Sequence, residues 1–131
     1  MDWLLSAPPA LRWALTLAFA GVVVLLSITP GIERPDDTVF GWLVLNTATP
    51  LQKALHVVIY AVLALLWMWT LEPIQSRWLR GALTLAACVG MGALLEWCQT
   101  RVPGRFGSIA DVLLNLAGAI LGLAAAFLFL L

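Results

Sequence analysis

The sequence predicts an all-α integral membrane protein, a compact bundle of four transmembrane helices. Three observations carry that expectation. Of 131 residues, 63% are hydrophobic and only 11% are charged, whereas soluble domains carry about 25% charged residues. Four apolar stretches reach the roughly 20 residues that a helix needs to cross a bilayer. Backbone groups in lipid must be satisfied within the segment or within a closed barrel, and stretches this continuously apolar lack the alternation of barrel strands. The length suits one domain over residues 1–131. A formal net charge of zero gives no basic surface for nucleic acid, so none is expected as a partner.

The first stretch runs over about 10–29, carries no charge after Arg12 and stops at Pro30-Gly31. It exceeds the roughly 7–15 apolar residues of a signal-peptide core and lacks a following Ala-x-Ala site, so a retained helix is favoured over a cleaved leader. Residues 30–51 form a polar connection punctuated by Pro30, Gly31, Pro35 and Pro50. Within it, Val39 to Leu45 is too short to span, and an interfacial or re-entrant piece is expected with Trp42 at headgroup depth. The second stretch covers about 51–71, with Trp67 and Trp69 near its end as belt aromatics. A wet turn with Glu72 and Pro73 leads to the third, about 78–98. Its Ala86-x-x-x-Gly90 and Cys88-x-x-x-Gly92 spacings suit close helix contact. Cys88 and Cys98 are ten residues apart on that helix. At about 1.5 Å per residue they lie beyond disulfide reach and read as packing residues. The fourth stretch, about 109–131, contains Gly118-x-x-x-Gly122.

Polar residues concentrate where the third stretch ends and the fourth begins: Glu96, Gln99, Arg101, Arg105, Ser108, Asp111 and Asn115. A charge near the bilayer centre costs about 2.5–3.5 kcal/mol on insertion scales, so such groups are paired or used. With four spans, the first and third loops share a membrane side. Lys53 and His56, which open the second span, therefore meet Glu96 and Gln99, which close the third. Lys53, His56 and Tyr60 fall at i, i+3 and i+7, and Asp111, Asn115, Gly118 and Gly122 at i, i+4, i+7 and i+11, each a single helical stripe. Lys53 at a helix start and Glu96 at a helix end both oppose the helix dipole. We therefore expect Glu96 to pair with Lys53, Arg105 or both.

Each residue also has a plainer role. Ser108-x-x-Asp111 before an apolar run is a capping-box variant, and Arg101 and Arg105 suit lipid headgroups. His56 and Tyr60 alone suit packing or an interfacial hydrogen bond. His56, Glu96 and Asp111 are the residues available for acid–base work. They are also the one set from which a metal could be held. Yet no His pair or Cys-x-x-Cys stands at ligand spacing, so no metal and no cofactor is expected. No phosphate loop or nucleophile elbow is present.

The pattern Glu96-x-x-Gln99, then Arg105-x-x-Ser108-x-x-Asp111-x-x-x-Asn115-x-x-Gly118-x-x-x-Gly122, together with Lys53-x-x-His56-x-x-x-Tyr60, resembles the VanZ-like family of small bacterial membrane proteins. That family is named after a teicoplanin-resistance protein. One departure is Gln52, where the family often has Asp. The resemblance implies an inner-membrane protein that binds an anionic lipid headgroup, a lipid-linked precursor or a lipoglycopeptide and contributes to antibiotic or envelope-stress resistance. The expected ligand-binding set is Lys53, His56, Tyr60, Glu96, Gln99, Arg105, Ser108, Asp111 and Asn115. The alternative is a membrane-embedded enzyme acting on a lipid-like substrate through His56 with Glu96 or Asp111. Arg12, Arg77 and Arg80, set against Glu33, Asp36 and Asp37 in the first loop, favour cytoplasmic termini, although acidic residues count for little. Lys53, Arg101 and Arg105 lie on the other side, so the charge bias is weak. The sequence carries no signal for oligomeric state.

Overall fold

The computed structural model describes residues 6–32 and 38–129; Glu33, Asp36 and Asp37 lie outside the described residues. Five helices follow one another: α1 (Pro9–Ile28), α2 (Val39–Asn46), α3 (Thr49–Thr70), α4 (Arg77–Gln99) and α5 (Ile109–Phe129). No strand occurs among the described residues. Four of these helices, all but α2, are long and apolar enough to cross a membrane. Their ends fall within two residues of the sequence expectation wherever the chain is described.

Local chemistry sets the starts. Pro9 and Pro50 occupy first-turn positions of α1 and α3, where a missing N–H costs nothing. Thr38 and Ser76 cap α2 and α4 by accepting from the N–H groups of Gly41 and Leu79, each at 3.3 Å. Ser108 caps α5, its Oγ accepting from the Asp111 N–H at 3.1 Å. Each such cap is worth about 1 kcal/mol.

The bundle closes most tightly between α3 and α5. Gly118 and Gly122 lie against the carbonyls of Val57 and Ala61, and a Cβ at either would collide with that backbone. Small residues permit such approach where lipid supplies no hydrophobic drive between helices. Gly92 likewise faces Tyr60 and Asn115, whereas Gly90 has nothing within 4 Å among the described residues. Of the two α4 spacings, then, only Cys88/Gly92 faces a helix; Ala86 and Gly90 point outward. Val23, Leu63, Ala64, Cys88, Leu95 and Ala119 fill the core. Both cysteines are free.

The two ends of the bundle are built differently. At one, the first and third loops meet: the Gly31 N–H donates to Pro103 O at 3.0 Å. There Gly104, at φ 73°, packs on the Gly31 backbone. That positive φ suits glycine. The contact realises the parity argument from four spans. At the other end, the turn after α3 folds onto the start of α1. Arg12 Nη1 pairs with Glu72 Oε2 at 3.0 Å and donates to Trp69 O at 3.3 Å. Arg12 Nε donates to Ala7 O at 3.1 Å. The Arg12 side chain is 6% exposed and Glu72 47%. Glu72 thus lies in the wet turn expected for it and also neutralises a buried guanidinium, which the sequence did not show.

Candidate functional site

Beneath the joined loops lies a cavity of about 180 Å³. Its walls are apolar, from Val23 and Leu26 of α1, Leu43 and Val44 of α2, Leu55 and Ile59 of α3, and Leu95 of α4. Its polar lining consists of Ser27, Thr47, Gln52, His56, Tyr60, Glu96, Gln99, Arg105 and Asn115. Six of the nine residues expected from sequence thus face one space.

Three helices supply its chemistry. His56 of α3 holds Asn115 of α5 through an Nδ1···Oδ1 contact of 2.7 Å. An amide oxygen only accepts, so Nδ1 donates, and in the neutral ring Nε2 keeps its lone pair. Glu96 of α4 reaches across in two directions. Its Oε2 accepts the Ser108 N–H at 3.1 Å, and its Oε1 lies 3.8 Å from His56 Nδ1. Glu96 thus brings a second carboxylate to the α5 N-terminus, beside Asp111 of its first turn. It satisfies a first-turn donor and meets the positive end of the helix dipole, which explains an acidic residue at the unfavourable end of α4.

Ser108 and Asp111 stand beside the cavity. Asp111 Oδ1 is buried without a hydrogen-bond partner among the described residues. Arg105, in the third loop, is half-buried. Burial lowers its pKa from the ordinary guanidinium value, and the charges of Glu96 and Asp111 oppose that shift. Tyr60 and Gln99 are 3% and 4% exposed, and among the described residues no hydrogen bond reaches either side chain. Both line the cavity, so the polar partners they lack are left to whatever occupies it.

Lys53 is the exception. It is exposed and does not line the cavity, and among the described residues it forms no ion pair. The expected Glu96–Lys53 pair is replaced by Glu96 with His56 and the Ser108 N–H, with Arg105 acting through space. Lys53 lies almost a full turn nearer the surface than His56, where a long ammonium side chain stays solvated at no cost.

Two contributions were hidden from sequence reasoning. The segment Val39 to Leu45, expected as an interfacial or re-entrant piece, lies in the two-turn helix α2, which places Leu43 and Val44 over the cavity, with Trp42 facing outward. Gln52 secures it: Nε2 donates to Thr47 O at 2.8 Å and to Val44 O at 3.3 Å. Carbonyls at a helix C-terminus need a donor, which an aspartate in this position would not supply. Only the departure at Gln52 pointed to it.

The sequence model of the VanZ/LLP1 family matches residues 11–130. Neither the curated proteins nor the solved structures yield a match.

Proposed function

We propose, for a chain that belongs to the VanZ/LLP1 family, that its cavity receives the anionic headgroup of a membrane lipid or of a lipid-linked envelope precursor. The observation that carries this reading is the pairing of an apolar wall with a polar lining in which Tyr60 and Gln99 have no partner among the described residues. Such a lining suits an amphipathic ligand, since ligand sites combine apolar walls with a few oriented polar groups. Size narrows the choice. A cavity of about 150 Å³ holds a benzene-sized molecule, so one of about 180 Å³ takes a headgroup and excludes an entire lipoglycopeptide. Resistance to a membrane-anchored glycopeptide would then follow from binding or shielding the lipid that such a drug needs.

In this reading the protein sits in the bacterial cytoplasmic membrane with both termini inside, because Arg12, Arg77 and Arg80 gather at one end. The cavity opens toward the outer leaflet. A reporter fused after Leu131 that is active only outside overturns the orientation. Arg105 is the principal anion contact, a planar two-pronged donor that lysine does not reproduce. The test is the glycopeptide susceptibility of cells carrying wild type, Arg105→Ala or Arg105→Lys at matched expression. Both variants are expected to lose the phenotype; full function in Arg105→Lys shows that simple charge suffices.

A second reading, an enzyme acting on a lipid-like substrate, draws on His56, whose ring is oriented by Asn115 and faces Glu96. Conversion of a lipid in a lipid extract by the purified protein favours it; unchanged lipid favours binding alone.

A further inference from the structure

An anionic headgroup meets an electrostatic conflict in this cavity. Glu96 lines it, Asp111 stands beside Glu96, and among the described residues Arg105 is the one arginine in the lining. Among the described residues, two carboxylates there face one guanidinium. A divalent cation resolves the conflict, and the residues that would hold it are already assembled. We propose that His56, Glu96 and Asp111 bind one divalent metal ion, whose open coordination positions face the cavity.

Three observations converge on this site. First, one ligand atom from each of the three residues lies within 4.8 Å of the others, and the three come from three different helices. Donors to one ion, at about 2.0–2.2 Å each, lie at most about 4.4 Å apart, so the three side chains have to draw together to hold one. Second, the groups are under-used. Asp111 Oδ1 is buried without a partner among the described residues, and the ion pair of Glu96 Oε1 with His56 Nδ1 is 3.8 Å long, beyond hydrogen-bond reach. Third, the support around the ligands is built. His56 donates from Nδ1 to Asn115 Oδ1 at 2.7 Å, so Nε2 is the nitrogen that has to turn to the ion, Nδ1 being the ring atom 3.8 Å from Glu96 Oε1. The Ser108 N–H holds Glu96 Oε2 at 3.1 Å. Metal-bound histidine commonly gives its other ring N–H to an oxygen in this way, and bound carboxylates are themselves hydrogen-bonded. Tyr60 and Gln99, nine-tenths or more buried and without partners among the described residues, stand in the same cavity, ready for a metal-bound water or a ligand oxygen.

One imidazole nitrogen with two carboxylates is a mixed nitrogen–oxygen set. It suits Zn²⁺ or Mn²⁺ better than Mg²⁺ or Ca²⁺, which favour oxygen throughout. The ion neutralises Glu96 and Asp111 and leaves Arg105 as net positive charge beside its open positions. The cavity then offers a phosphate both a metal and a guanidinium fork. The ion's place rests on the triad alone; its use in holding a headgroup rests on the function proposed above.

The test uses the full chain purified in detergent, stripped with a chelator, dialysed and titrated calorimetrically with ZnCl₂ or MnCl₂. Elemental analysis gives the stoichiometry. About one ion per chain is expected. Loss of a ligand should cost more than loss of a supporting residue, which typically weakens affinity about 10–100-fold, so Asp111→Asn and Glu96→Gln are each expected to weaken binding tenfold or more. Glu72→Gln, at the other end of the bundle, should bind as wild type. Wild-type protein that takes up neither ion overturns the site, however the variants behave. In parallel, retention of added phosphatidylglycerol is measured by native mass spectrometry with and without chelator. Retention that falls on chelation supports metal and headgroup together. Retention without metal uptake overturns the metal site and leaves the headgroup reading intact. Metal uptake without retention supports the metal site and removes the headgroup reading.

Discussion

The bundle carries polar residues at both ends and treats them in opposite ways. At the α1–turn end, Arg12 is buried among acceptors that match it: Glu72 Oε2, Trp69 O and Ala7 O. Thr16 and Thr70 hydroxyls share a hydrogen bond of 2.7 Å, with Leu66 O and Arg12 O within reach of the proton that this bond leaves over. At the joined-loop end, Tyr60, Gln99 and Asp111 Oδ1 face a cavity or its edge without partners among the described residues. The first arrangement spends its polar groups on holding helices together. The second keeps them available. Buried Arg80 Nε and Thr84 Oγ1, toward the first end, also lack partners among the described residues, but they do not line the cavity, so an unpartnered atom marks a site only where space accompanies it.

The largest expected effect removes what both ends share. Gly122→Leu places a side chain where the Ala61 carbonyl lies, and α5 cannot move away without losing α3. Overpacking typically costs about 1–3 kcal/mol, and a backbone collision exceeds that range. Loss of the folded protein in a detergent melting assay is expected, and a stable, lipid-binding Gly122→Leu protein would show that the α3–α5 contact is dispensable.

Next come changes that should strike only the closed end. Arg12→Ala removes the ion pair and two backbone contacts, and a loss of about 2–4 kcal/mol is expected, near the range for broken buried networks. Glu72→Gln should cost about 1 kcal/mol, because water reaches the carboxylate and screens the pair. In both, lipid retention by the folded fraction stays at the wild-type level. Reduced retention per folded molecule would mean that the two ends are coupled.

The smallest stability effects belong to the open end. Tyr60→Phe and Gln99→Leu remove polar atoms that have no partner among the described residues, so their loss is close to neutral for the fold. Shifts within about 0.5 kcal/mol are expected in melting, with lipid retention reduced several-fold. A melting loss of 2 kcal/mol or more would recast these residues as structural.

Much of this contrast was readable in advance. The convergence of His56 with Glu96 and Asn115 follows from the count of spans, because parity forces the first and third loops together. The glycine stripe of α5 was legible for the same reason that it works: a 3.6-residue period and no Cβ. The Arg12–Glu72 pair was not legible, since a contact 60 residues apart in sequence depends on how α1 crosses α3, which no local spacing encodes. Lys53 was misplaced because its stripe is real but its depth is not the same as that of His56. The role of Gln52 appears only when α2 folds back and offers carbonyls to it.

The central claim is that the joined-loop cavity is a ligand site, and two arginines in one loop test it most directly. Arg105 lines the cavity, whereas Arg101 stacks on Trp97 with its Cζ 4.0 Å from the ring centroid and is exposed. Native mass spectrometry of gently extracted wild type, Arg105→Ala and Arg101→Ala compares the lipid each retains. The account predicts an anionic lipid on wild type and Arg101→Ala that is lost from Arg105→Ala. Equal retention by all three, or loss from both variants alike, would contradict it and reduce Arg105 to a surface charge.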